Sequence, residues 1–187
     1  HRALSWYGRA EMVEGDEDVR FILLWIGFNA LYAADIGRAV EGQGQGIGER
    51  TRYQGFFHAM TDMDREGRLY DSLWQRYSQE IRVLLDNRYV FNPFWQHHNG
   101  APGYDNWQER FMAAKQAGAK ALAARDGASL LSIIFDRLYV LRNQLVHGGA
   151  TWNSDINRAQ VSDGAAILAC LLPIFIDLMM DAPERDW

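Results

Sequence analysis

The segment 142–149 combines residue types that can handle a phosphate and a proton. It has the sequence RNQLVHGG and ends a mostly apolar stretch of the chain. An arginine can bind a phosphate through two parallel hydrogen bonds, and an imidazole can gain or lose a proton near neutral pH. The candidate catalytic residues are therefore Arg142 as a phosphate ligand, Asn143 as an orienting amide and His147 as an acid–base group.

The spacing of these residues decides how they can meet on a helix. Asn143 and His147 are four residues apart, so they share a face and can hydrogen-bond, which would orient the imidazole. Arg142 lies about 140° around the helix from His147, at about 100° per residue. One phosphate could therefore reach both only if the last turn loosens at Gly148 or if a second copy of the helix contributes. The alternative interpretation is an ordinary helix end, where Arg and His side chains solvate the last carbonyl groups.

The hydrophobic pattern predicts helices along the chain, because no run alternates as a half-buried strand does. Acidic residues 16–18 are expected to begin a helix that continues as the apolar run 19–34. Pro173 is expected to kink the last helix, since proline cannot donate a hydrogen bond to the preceding turn. The fold class is therefore predicted to be an all-α bundle of about five to seven helices in one domain, 1–187. The remaining helices are predicted over 52–65, 68–86, 106–125, 129–147 and 157–181.

Two segments interrupt the predicted helices. Residues 37–48 contain five glycines and are predicted to be a flexible link, since no Gly-Lys-Ser/Thr follows to make a phosphate-binding loop. Residues 88–105 are predicted to be a loop rich in aromatic side chains and histidines. Its rings could stack on RNA bases, with Arg88 as an RNA contact, or could pack on one another or on a second copy. Packing or a dimer contact is favoured, because Arg88 is the only Arg or Lys in this loop.

Composition narrows the classes of function. The 187 residues carry a net charge of −5, which argues against a general electrostatic attraction to nucleic acid and requires a local basic site instead. A single cysteine, Cys170, excludes a disulfide framework and a Cys-based zinc site, and indicates a cytoplasmic protein. The apolar runs 21–34 and 165–180 are shorter than the roughly 20 residues of a membrane span, so no membrane insertion is expected. No histidine or acidic spacing typical of a metal site is present, and no metal or cofactor is expected.

Asn29 is a second candidate site residue. It is the only strongly polar side chain in the run 21–34, and a buried amide needs hydrogen-bond partners. The amide would either bond the backbone of a neighbouring helix or contact Arg142 or His147 from behind. Trp25 and Phe28 in the same run are better explained as core residues.

The segment 142–147 and its setting resemble the HEPN superfamily. Arg142, the polar Asn143 directly after it, and His147 match the R-x4-6-H motif of that superfamily. The helix that carries the motif is followed by a polar loop and a final apolar helix, and the run 19–34 resembles the buried early helix of the same proteins. The resemblance extends loosely over 19–180, but only 142–147 is specific to the motif.

The resemblance implies a dimeric helical bundle in which two motifs face each other across a cleft. It implies a metal-independent endoribonuclease, set in a toxin–antitoxin or phage-defence system, whose partners are an RNA substrate, a second copy and an antitoxin. His147 would be the acid or base at the ribose 2′-hydroxyl and the leaving oxygen, and Arg142 would bind the scissile phosphate. Asn143 would orient His147 or contact the phosphate. The product would be a 2′,3′-cyclic phosphate.

Two other interpretations of the chain stay open at this point. The first is a catalytically silent HEPN module that binds a nucleotide or a partner protein. The second is a structural helical domain in which the segment 142–147 only caps a helix. Residues that line a shared open cleft would support an enzyme or a binding module, whereas buried or scattered residues would support the structural domain.

Overall fold

The computed structural model describes residues 1–32, 47–155 and 157–182. Within these residues the chain is helical and contains no strand, which confirms the all-α fold class. The predicted link 37–48 lies outside the described residues except for its last two, which begin a helix. The α-helices of the described part are α1 (Arg2–Glu11), α2 (Glu17–Tyr32), α3 (Ile47–Met63), α4 (Arg68–Tyr70), α5 (Ser78–Asp86), α6 (Asn92–His98), α7 (Trp107–Ala124), α8 (Gly127–Val146) and α9 (Arg158–Met180).

The core is built from aromatic side chains that α2, α3, α8 and α9 bring together. Phe28 of α2 lies 4.3 Å from Phe135 of α8 between ring centroids, and Phe57 of α3 lies 4.8 Å from the same ring. These three rings and Phe175 of α9 are all fully buried. Full burial of one such side chain stabilises the fold by about 1.5–3 kcal/mol. Trp25 is buried with them, so both core assignments within the run 21–34 are confirmed.

The helices α2 and α8 run in opposite directions, and this decides what lies beside the candidate site. Trp25 contacts Tyr139 at 6.2 Å, and Phe28 contacts the earlier Phe135. Residues further along α2 therefore meet residues further back along α8. As a result, the first turn of α2 lies next to the last turn of α8, where the motif is located.

The helix predicted over 68–86 is interrupted, so the prediction of one continuous helix was wrong. The short α4 passes into a π-helical turn over Asp71–Arg76, and Tyr77 leaves helical geometry with φ −120° and ψ 18° before α5 begins. The indole of Trp74 in this wider turn donates to the carbonyl oxygen of Leu122 at 2.8 Å. Hydrophobic spacing could not reveal the change, because the apolar residues on both sides of it are still buried.

Two further helices lie where none was predicted. The first is α1, which packs on α2 ahead of the first predicted helix. The second is α6, which lies inside the predicted loop 88–105 and follows a 3-10 turn over Arg88–Val90. Pro93 is tolerated near the start of α6 because the first amides of a helix need no intrahelical acceptor. Helices as short as α6, at seven residues, hold too few turns for their periodicity to be recognised.

The last helix, α9, nearly matches its predicted bounds of 157–181 and contains Pro173. It is the one helix of the described residues that is long and apolar enough to cross a membrane, judged by length and composition alone. Half of its most apolar window is buried within the protein, and a core helix passes the same test.

Candidate functional site at the end of α8

The end of α8 is defined by the two glycines that follow it. The helical hydrogen bonds end at His147, whose amide donates to the carbonyl oxygen of Asn143 at 3.0 Å. The next residue, Gly148, has a φ of 70°. This left-handed conformation is costly for residues with a Cβ, so a glycine at position 148 allows the helix to end here, close to the end of the predicted range 129–147. A Cβ on Gly149 would lie 3.3 Å from the backbone of Gln144, which shows how closely the chain folds back on the helix end.

Arg142 and Asn143 are joined by a hydrogen bond. The Arg142 Nη1 donates to Asn143 Oδ1 at 2.9 Å, and both residues are half-buried. The spacing had suggested that Asn143 bonds His147, whereas its amide oxygen instead accepts from Arg142. Asn143 lies only about 40° from His147 around the helix. The bond therefore directs the guanidinium of Arg142 toward the face that carries His147, which reduces the divergence expected from spacing alone.

His147 is exposed at the C-cap, directly after the last residue of α8. Its imidazole is therefore accessible to a large substrate without any movement of the chain. The cavity beneath the loop that follows, lined in part by Gln144, Leu145 and Arg158, has a volume of only about 10 Å³. This space does not hold a substrate, so chemistry at His147 would take place on the open surface of the helix end.

Gln144 is the residue of this segment that sequence reasoning missed. Its Nε2 donates to the carbonyl oxygen of Tyr89 at 2.7 Å, and its Oε1 accepts from Asn157 at 3.0 Å. Asn157 also accepts from Asn87 at 3.2 Å, which closes a network of amides around the helix end. Its position in the sequence could have pointed to it, because Gln144 lies about 60° from His147 around the helix and so is on the same side. Gln144 thus attaches two other parts of the chain to the motif helix.

The loop between α8 and α9 is held against the start of α2 by charged groups. Asp18 accepts two hydrogen bonds from the guanidinium of Arg158, at 2.9 and 3.0 Å, and one from the amide of Asn153 at 2.7 Å. Burial raises the pKa of the Asp18 carboxyl, but the bonds from Arg158 and Asn153 outweigh it, and the pKa lies below its ordinary value. Trp152 donates to Asp16 at 3.0 Å. The acids of the predicted helix start therefore also position the loop that follows the motif.

Arg88 is one of the two weaker candidates from the sequence, and the structure connects it to the motif helix through its neighbour Tyr89. Its guanidinium stands 4.9 Å from the ring centre of Tyr89 and donates to the Tyr89 hydroxyl at 2.9 Å. Both side chains are exposed. Because Gln144 binds the carbonyl of Tyr89, this Arg–Tyr pair is attached to the face of α8 that carries His147.

In comparisons with protein-family models, curated proteins and solved structures, nothing matches this chain. The HEPN resemblance therefore remains a prediction. It depends on the segment 142–147 and on its setting between apolar helices.

Asn29, the other weaker candidate, is not brought to the motif. It is half-buried on α2, one residue beyond Phe28, which packs on Phe135. Phe135 lies seven residues before Arg142 on α8, a distance of about 10 Å along the axis. This position lies away from Arg142 and His147, which disfavours the second of the two alternatives, a contact with those residues. The amide is half-buried rather than enclosed as the surrounding apolar run had suggested.

The inner half of the aromatic segment 88–105 is packed within the chain, as the favoured interpretation of it expected. Phe94 meets Trp107 at 5.1 Å, and Phe91 meets Phe111 at 5.3 Å between ring centres. The guanidinium of Arg137, which is almost completely buried, lies 4.3 Å from the centre of the Phe91 ring. These contacts account for the inner rings, whereas Tyr89 and His98 face solvent.

Among the described residues, no group of three or more His, Cys, Asp or Glu side chains is arranged to hold a metal ion.

Proposed function

We propose that this protein is a metal-independent endoribonuclease of the HEPN type, acting on RNA in the cytoplasm in a toxin–antitoxin or phage-defence setting. The observation that carries the proposal is the joint placement of Arg142, Asn143 and His147. The bond to Asn143 directs the Arg142 guanidinium toward the side of α8 that carries His147, and His147 is exposed at a helix end that a large polyanion can reach. A phosphate ligand next to an acid–base group is the arrangement that RNA transesterification needs.

The proposed reaction uses the RNA's own 2′-oxygen as nucleophile. This oxygen attacks the adjacent phosphorus, its proton passes to a general base, and the bond from phosphorus to the 5′-oxygen breaks. A general acid protonates the departing 5′-oxygen, which leaves a 5′-hydroxyl and a 2′,3′-cyclic phosphate. Arg142 stabilises the negative charge that develops on the phosphoryl oxygens, since guanidinium donors bind such oxygens in pairs.

A second copy of the chain is part of the proposal. The base acts at the 2′-oxygen and the acid at the 5′-oxygen, on opposite sides of the phosphorus. One chain offers a single His147 at the end of α8, so a symmetric dimer would supply the second proton-transfer group. The open, unenclosed surface at this helix end is compatible with a cleft that is completed by the second copy.

The proposal predicts RNA cleavage in the presence of EDTA. Purified protein incubated with a fluorescent single-stranded RNA should yield fragments that end in a 2′,3′-cyclic phosphate, identified by mass spectrometry. The same RNA with 2′-O-methyl groups should stay intact, because the nucleophile is blocked. Activity that disappears on chelation and returns with magnesium or manganese would contradict the assignment of His147. RNA that is bound but never cut would instead indicate the catalytically silent module.

Replacement of Arg142 should weaken both RNA binding and cleavage. A charge-assisted hydrogen bond contributes about 1.5–3 kcal/mol, so Arg142→Ala should lower kcat/KM by about 10- to 100-fold. Arg142→Lys should recover part of this loss, because an ammonium group keeps the charge but lacks the planar pair of donors. Arg125→Ala, an exposed arginine at the opposite end of α8, is the matched control. Equal losses in the Arg125 and Arg142 variants would show that only overall charge is being measured.

A further inference from the structure

We infer that Arg88 and Tyr89 form a stacking surface for a base of single-stranded RNA, attached to α8 on the side that carries His147. This inference rests on the proposed function and assigns the position of a neighbouring nucleotide of the same substrate. The surface consists of the Arg88 guanidinium, the Tyr89 ring and the exposed edge of the rings behind them.

The backbone beneath this surface is held by two side chains from different helices. Gln144 of α8 and Trp95 of α6 both donate to the carbonyl oxygen of Tyr89, each at 2.7 Å. A carbonyl oxygen has two lone pairs, so this acceptor is fully used and its position is defined from two directions. Gln144 precedes His147 by three residues, about 4.5 Å along the helix axis. The backbone at Tyr89 is therefore attached to α8 at a residue three positions before His147.

The Arg88–Tyr89 pair is already arranged for stacking. The guanidinium of Arg88 is 4.9 Å from the Tyr89 ring centre and 5.8 Å from that of Phe94, and it donates to the Tyr89 hydroxyl at 2.9 Å. Both Arg88 and Tyr89 are exposed, with 40% of Tyr89 accessible. Unpaired RNA bases stack on aromatic rings and on guanidinium planes, which are the two groups presented here.

Packing accounts for only part of these groups: the Tyr89 ring meets Phe94 edge-to-face at 5.4 Å between ring centres, yet 40% of Tyr89 remains accessible. The inner rings, Phe91 and Phe94, are in contact with the rings of α7, so the segment is stabilised without the outer face. His98 also lies on the outer side, stacked at 6.0 Å on Phe94. In a chain with a net charge of −5, the exposed Arg88 places a positive charge on this outer face, and RNA binding requires a local positive charge of this kind.

The test separates stacking from phosphate attraction. In a His147→Ala background, which removes cleavage, binding of a fluorescent ten-residue oligoadenylate is compared by anisotropy with binding of an abasic oligonucleotide of equal length. Tyr89→Ala should weaken oligoadenylate binding about five-fold or more and leave abasic binding unchanged. Tyr89→Phe should bind as the parent does, because the ring remains. Arg88→Ala should weaken binding of both, and of oligoadenylate more strongly.

The matched control is the Arg125–Tyr70 pair. Arg125 stands 4.9 Å from the Tyr70 ring centre, as Arg88 does from Tyr89, but it precedes α8, whose 20 residues separate it from the motif by about 30 Å. Arg125→Ala should therefore bind both oligonucleotides as the parent does. Equal losses in the Arg125 and Arg88 variants, or equal losses of the two oligonucleotides in Tyr89→Ala, would overturn the inference. Dissociation of a dimer by Tyr89→Ala with RNA binding intact would overturn it in favour of a subunit contact.

The outcomes for the surface and for the reaction are distinguishable. If the unaltered protein cleaves RNA but Tyr89→Ala keeps the preference for base-carrying oligonucleotide, the stacking surface fails and the endoribonuclease proposal survives. If Tyr89→Ala removes that preference but the unaltered protein cleaves nothing, the catalytic proposal fails and the binding surface stands. Thermal melts of each variant should match the parent, since the Tyr89 side chain is exposed and its carbonyl is unchanged.

Discussion

His147→Ala is expected to slow RNA cleavage by about 10²–10⁴-fold while RNA affinity changes little. The substitution removes proton transfer at the reacting oxygens but leaves Arg142 and its bond to Asn143 in place. The imidazole is exposed beyond the last turn of α8, so the fold should be unaffected. Single-turnover cleavage of a fluorescent RNA, together with anisotropy and a thermal melt, measures the three quantities separately.

The control for this experiment is His58→Ala. His58 is also an exposed helical histidine, but it lies on α3 and is not part of the motif. Its replacement should leave cleavage, binding and melting temperature as they were. Full activity in His147→Ala, or a large loss of its thermal stability, would show that the segment 142–147 has a structural role and that the catalytic proposal is wrong.

Asp18→Asn is expected to lower the free energy of unfolding by about 2–3 kcal/mol. Removing one partner of a buried ion pair typically costs about 3–5 kcal/mol, and the cost here is smaller because 30% of the Arg158 side chain reaches solvent. The amide of asparagine could accept one bond from Arg158 or Asn153, but it cannot balance the charge. Urea unfolding at neutral pH measures the loss. Asp86→Asn, which removes an exposed ion pair with Lys115, should change stability by less than about 1 kcal/mol and is the control.

The same aspartate sets an expected acid dependence of stability. The pKa of Asp18 is lowered in the folded protein, so its ionised carboxylate contributes to the free energy of unfolding. This contribution is fully present above the pKa of aspartate in the unfolded chain, near 3.9. The contribution is lost as the pH falls below that value through the folded pKa. Stability of Asp18→Asn should consequently fall less steeply below about pH 4 than that of the parent. Parallel acid profiles for the two proteins would show that Asp18 is not the group responsible.

Most helices of the described chain could be predicted because their signals are local. The apolar stripe and the glycines around 129–147 predicted a helix that the structure places at Gly127–Val146. The long apolar run before Asp181 predicted α9 to within one residue at each end. In both cases apolar residues repeat with a period of about 3.6, and a residue that ends the helix follows them in the chain. Residues close in sequence are therefore enough to predict these two helices.

The elements that were missed depend on contacts with distant residues. The π-helical turn before Tyr77 accompanies the bond from Trp74 to Leu122, 48 residues away. The short α6 is accompanied by the packing of its rings on α7. Neither partner is a neighbour in sequence, so the pattern within each segment carried no sign of them.

The sequence by itself determined which chemistry could exist at the candidate site. It placed Arg142, Asn143 and His147 within one and a half turns, ended the helix at Gly148, and excluded a Cys-based metal site. These properties follow from residue type and from the fixed rotation of a helix, neither of which needs a folded chain.

Only the tertiary structure decided what surrounds those residues. It brought Gln144 to Tyr89 across 55 positions and Arg158 to Asp18 across 140, while it left Asn29 near Phe135 and away from the motif. The contact between Arg158 and Asp18 arises because α2 and α8 pack antiparallel around the buried phenylalanines, which sets the start of α2 beside the end of α8. The burial of those rings, rather than any local signal, is the reason that the acids of α2 meet the loop that follows the motif.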